Sequence, residues 1–68
     1  MIAARIIVSA EETKNIDIFV DSIQDKDIFA YKVSDNSFIV VTEGTCSWKH
    51  VGARLATVFD TISVIRVK

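Results

Sequence analysis

Apolar positions recur along the chain in six separate stretches, some with the period of a strand and some with the period of a helix. Residues 2–8 (IAARIIV) are rich in β-branched types and hold no turn former, which predicts a strand. Over residues 10–24 the apolar positions Ile16, Phe19, Val20 and Ile23 fall at helical spacing, with Glu11, Lys14, Asp17, Asp21 and Gln24 elsewhere. Ser9 stands three residues before Glu12, a reciprocal capping pattern that opens a helix. The polar run Gln24-Asp25-Lys26-Asp27 ends it. Residues 28–33 (IFAYKV) predict a second strand, Ser34-Asp35-Asn36-Ser37 a turn, and residues 38–42 (FIVVT) a third strand closing a hairpin. After Gly44, either Thr45 or Ser47 is placed to cap a second helix, whose apolar stripe is Trp48, Val51, Leu55, Val58 and Phe59. Asp60 marks its exit, and residues 61–67 (TISVIRV) predict the last strand.

The order β-α-β-β-α-β predicts an α+β fold occupying residues 1–68 as one domain. It resembles the ferredoxin-like, or split β-α-β, sandwich: a four-stranded antiparallel sheet with two helices on one face. Strands one and three take the centre, and they are the most continuously apolar of the four, as central strands should be. A β-grasp-like or swapped-strand topology is the competing arrangement. The resemblance is one of architecture and implies no activity, because this fold hosts many functions.

Composition narrows the classes further. Half the residues are apolar, a quarter are charged and proline is absent, which excludes a disordered or collagen-like chain. Eight Lys+Arg against nine Asp+Glu give a net charge of −1, unlike a wholly basic nucleic-acid binder. The single cysteine, Cys46, excludes an internal disulfide framework. No apolar run reaches the ~18–20 residues of a membrane span. Residues 1–8 are interrupted by Arg5 and lack a cleavage pattern, so a signal peptide is not expected and cytoplasmic residence is. A chain this short buries only ~60% of its unfolded surface. With neither a disulfide nor a metal cluster to compensate, self-association as a homodimer is expected.

Charges sort the faces of the predicted sheet, since an unpaired buried charge costs several kcal/mol. In the first strand Ile2, Ala4, Ile6 and Val8 point one way and Ala3, Arg5 and Ile7 the other, so Arg5 and Ile7 belong to the helix-free face. The same rule assigns Lys32, with Ile28 and Ala30, to that face in strand two. It also assigns Arg66, with Ile62 and Val64, in strand four. Phe29 and Tyr31 then fall on the core side. The third strand exposes either Ile39 and Val41 or Phe38 and Val40. An aliphatic patch spanning adjacent strands and studded with bases is the candidate interaction surface. Nucleic acid is disfavoured there, because strand one carries no aromatic on which a base could stack.

Few other groups point to chemistry. Cys46 and His50 lie four apart and share a helix face, but a zinc site needs three or four ligands and the chain has no other His or Cys. No third group accompanies them for nucleophilic catalysis. Neither GxxxxGK[ST] nor GxGxxG occurs. Acids concentrate on and after the first helix, where Asp17 and Asp21 form a second candidate surface on its outer face; the bland reading is a solvated helix. Lys49, His50 and Arg54 give the second helix the opposite sign. The expectation is a non-enzymatic interaction module (inhibitor, adaptor or regulatory subunit) with no cofactor or metal and a protein partner. It works through Arg5, Ile7, Lys32, Val64, Arg66, Asp17 and Asp21. A nucleic-acid-binding module, and a ligand-binding or enzymatic domain built at a dimer interface, are the alternatives.

Overall fold

The computed structural model describes residues 1–67. Its elements are β1 (Ile2–Val8), a 3-10 turn (Ala10–Glu12), α1 (Lys14–Ile23), β2 (Ile28–Ser34), β3 (Ser37–Thr42), α2 (Thr45–Val58) and β4 (Ile62–Val67). The strands form one sheet in the order β2-β3-β1-β4, with every neighbouring pair antiparallel. This is the α+β ferredoxin-like arrangement, with β1 and β3 central.

Local starts differ from the sequence expectation at two points. Glu12 and Ser9 do interact, the Ser9 hydroxyl donating to the Glu12 carboxylate at 3.2 Å, but they open a 3-10 turn and α1 proper begins at Lys14. The extended residue before α2 is Gly44, so neither Thr45 nor Ser47 is its N-cap.

Thirteen apolar residues form one core between helices and sheet. Ala4, Ile6 and Val8 come from β1, Ile28 and Ala30 from β2, and Phe38 and Val40 from β3. The helices contribute Ile16, Phe19, Ile23, Val51 and Leu55, and Phe59 closes the end of α2. Phe19, Phe38 and Phe59 meet as a triangle of tilted rings, with centroids 5.3–5.9 Å apart. That is the preferred range for aromatic pairs. β4 adds only the half-buried Ile62.

The layers are not in register with one another. α1 lies against β2, and the helices cover the sheet least on the β4 side, which gives the core only Ile62. On that flank, Val64 points to the helix side yet is 46% exposed. Its partner in register, Ile6, is fully buried, which fixes the side it faces.

Candidate interaction surface

Register decides what each face presents, because residues paired across antiparallel strands share a side. The helix-free face carries Ala3, Arg5 and Ile7 on β1, Ile39 and Val41 on β3, Phe29 and Tyr31 on β2, and Ser63, Ile65 and Val67 on β4. The placement of Arg5 and Ile7 agrees with the sequence expectation, and so does the Ile39/Val41 alternative for the third strand.

Two strands sit the other way up. In β2, Ile28 and Ala30 are buried under the helices, whereas Phe29 (58% exposed) and Tyr31 (41% exposed) lie on the open face with ring centroids 5.5 Å apart. Lys32 pairs in register with the buried Phe38 and therefore projects on the helix side. There its ammonium reaches Asp17 of α1 at 3.9 Å. In β4, Ile62, Val64 and Arg66 pair with the buried Val8, Ile6 and Ala4, so they too are on the helix side, and Ile65 and Val67 take the open face.

The assignment of charge to the open face failed for one reason in both strands. It assumes that the helices roof the sheet completely. β2 and β4 are the two edges, where a long side chain lays its stem along the sheet and keeps its charged end in water. Lys32 and Arg66 therefore cost little on the helix side. The pairing of Ile28 and Ala30 with the core outweighs it.

The acidic surface of α1 is as expected in position: Asp17 and Asp21 are both exposed. Asp17 and Lys32 are brought together, but as an exposed ion pair worth at most about 1 kcal/mol. The opposite-sign helices make no ion pair with each other among the described residues; Arg54 instead reaches the Ser22 hydroxyl at 3.5 Å. Cys46 and His50 are exposed on α2. Among the described residues no cluster of three or more His, Cys, Asp or Glu side chains is placed to hold a metal.

The open face is thus more apolar and less basic than the sequence predicts. Within the strands its one charged side chain is Arg5, central on β1, and Asp27 and Glu43 lie at its rim beside Phe29 and Val41. The guanidinium donates to the hydroxyl of buried Ser37 at 3.3 Å, and Ser37 also shares a hydrogen bond with Ser34. Around this polar centre lie Phe29, Tyr31, Ile39, Val41, Ile7, Ile65 and Val67. Four strands of about six residues give this face roughly 400 Å² in projection.

A second concavity lies between α2 and β4 on the helix side. Its volume is about 540 Å³, and its walls include Trp48, Gly52, Leu55, Ile62 and Val64, with Asp60 at one end. It exists because α2 covers β4 only in part, leaving Val64 46% exposed. Sequence reasoning missed it, since Trp48 and Leu55 read as an ordinary core stripe and only the lateral offset of the helices leaves that stripe partly unfilled.

Among the described residues no helix is long and apolar enough to cross a membrane. Comparison with known proteins finds no matching family model, no matching curated protein and no matching solved structure. Any functional reading therefore rests on these surfaces.

Proposed function

We propose that the protein is a non-enzymatic interaction module that binds another protein through its open sheet face. One observation carries this: seven large or medium apolar side chains, drawn from all four strands, surround a single cation on one face. A contiguous apolar area of several hundred Å² is what marks a contact surface on a small soluble domain. The paired rings of Phe29 and Tyr31 supply the rigid aromatic area that dominates such contacts.

Charge selects the kind of partner. A second copy seated squarely on this face brings two Arg5 guanidiniums together at its centre, while the nearest carboxylates, Asp27 and Glu43, stand at its rim beside Phe29 and Val41. A different protein with an acidic side chain set among apolar residues satisfies both the patch and its centre. Nucleic acid is the weaker reading: the two rings are stacking platforms, but they lie on an edge strand, and one cation neutralises too little phosphate.

The test uses the intact chain to capture partners from its native extract, alongside two surface variants, Phe29→Asp and Arg5→Glu. Neither position is buried, so both variants should keep the wild-type circular dichroism spectrum. A partner retained by the wild type, lost by both variants and protecting the amides of β1 and β3 from hydrogen exchange is the expected result. Retention of the same partner by both variants overturns the reading.

A further inference from the structure

We propose that β4 is a self-association edge, through which two copies join their sheets antiparallel into one of eight strands. It rests on the backbone edge of β4 and the charge pattern of its helix side rather than on the centre of the open face, although β4 contributes Ile65 and Val67 to that face.

The argument begins with the state of the two sheet edges, since an uncovered edge offers a row of unpaired N–H and C=O groups to another chain. At β2 the outward backbone groups are already engaged. Ile28 exchanges hydrogen bonds with the backbone of Asp25 at 3.1 and 3.2 Å. Two residues on, the side-chain amide of Gln24 does the same for Ala30, donating to its carbonyl at 2.7 Å and accepting from its N–H at 3.4 Å. Beyond that, the ladder is broken by an irregularity between Lys32 and Ser34.

β4 has none of these devices. Its ladder with β1 is regular over six residue pairs, and among the described residues no other backbone or side-chain group bonds to its outer edge. It carries no proline, and it is apolar and exposed on both sides: Val64 on the helix side, Ile65 (51% exposed) and Val67 on the other. The groove beside it leaves room for the side chains of one more strand against Leu55 and Trp48.

The occupant is identified by the charge pattern. On the helix side the chain presents Asp60, Ile62, Val64 and Arg66 in alternate positions. That series is complementary to itself when reversed. Antiparallel pairing centred on Ser63 sets Asp60 opposite the Arg66 of the other copy and Ile62 opposite its Val64, twice over by symmetry. Neither Asp60 nor Arg66 has a side-chain ion-pair partner within its own chain among the described residues. Ser63 falls opposite itself on the two-fold axis, on the open face, where a small side chain lets the strands meet.

Two measurements on the full chain test this. Solution mass across a concentration series should show a dimer whose dissociation constant rises at least tenfold in Arg66→Asp. The double change Asp60→Arg with Arg66→Asp restores the pairing with its polarity reversed, and should return the constant to within a few-fold of wild type. Both positions are exposed, so folding is not at stake. Independently, Ser63→Cys in a Cys46→Ser background should form an inter-chain disulfide under mild oxidation, since residues opposite each other in such a ladder are about 5 Å apart. A wild-type chain that stays monomeric at millimolar concentration, an unaffected Arg66→Asp dimer, a double variant without rescue, or no cross-link at position 63 each overturns the proposal. None of these outcomes bears on partner binding by Arg5 and Phe29.

Discussion

The two edges of the sheet are alike in length and hydrophobicity and differ in how their outer backbone is guarded. β2 (IFAYKVS) and β4 (ISVIRV) are both short, apolar and interrupted by one basic residue. What differs is the chain that leads into each. The residues before β2 fold back on it: the Asp25 backbone and the Gln24 amide occupy the outward groups of Ile28 and Ala30. The residues before β4 are held in the opposite direction. The backbone N–H groups of Asp60 and Thr61 donate to the Glu12 carboxylate at 2.8 and 3.4 Å, anchoring the start of β4 to the turn that precedes α1. In this chain the difference lies in the residues immediately upstream of each edge strand: those before β2 satisfy its outward backbone groups, and those before β4 bond to Glu12 instead.

The sharpest way to break the contrast is at the root of β4. Phe59 is buried against Phe19 and Phe38 just before the strand begins. Phe59→Ala should cost about 3–5 kcal/mol in denaturant unfolding, the usual range for a deleted core ring. A loss below about 1 kcal/mol would mean that β4 is held by its ladder alone. Next in size is removal of the guard on β2. Gln24→Ala deletes two hydrogen bonds to Ala30 and should lower stability by about 1–2 kcal/mol. It should also give β2 the associative behaviour proposed for β4, seen as a rise in average mass with concentration. Unchanged mass would show that the irregularity after Lys32 protects that edge by itself.

The smallest effect concerns the anchor. The Asp60 N–H, with help from Thr61 and the Ser9 hydroxyl, holds the Glu12 carboxyl below the ordinary glutamate value of 4.5. A depressed folded-state value means that the carboxylate contributes stability at pH above 4.5, and that this is lost as pH falls through the folded value. Glu12→Gln should therefore lower the plateau above about pH 4.5 slightly and flatten the acid limb below it, so that the two profiles converge at low pH. An acid limb identical to wild type would show that the contact does not persist in solution.

Much of the architecture was legible without coordinates. The stripe of Ile16, Phe19 and Ile23, the stripe of Val51, Leu55 and Phe59, and the alternation of Ala4, Ile6 and Val8 each name their buried side directly. Burial periodicity is a local property of the chain. The candidate surface was legible only where a strand is central. Arg5 and Ile7 were placed correctly because β1 has neighbours on both sides and a helix over it. Lys32, Val64 and Arg66 were not, because on an edge strand a charged residue reaches water from either side and its presence says nothing about orientation. Phe29 and Tyr31 illustrate the converse: large rings that read as core are half exposed, since the smaller Ile28 and Ala30 fit under α1.

Periodicity, turn composition and the absence of proline thus determined the elements, their order and the central pair of strands. Tertiary structure alone decided three things: which way up the edge strands lie, how far the helices are displaced from β4, and what Glu12 does. The sequence marks Glu12 as the partner of Ser9, three residues away. In the fold its carboxylate also receives two N–H groups from 48 and 49 residues further along. The reason is physical: hydrogen-bond capacity is written in a residue's chemistry, but the choice of partner depends on which distant backbone the packed core brings within about 3 Å.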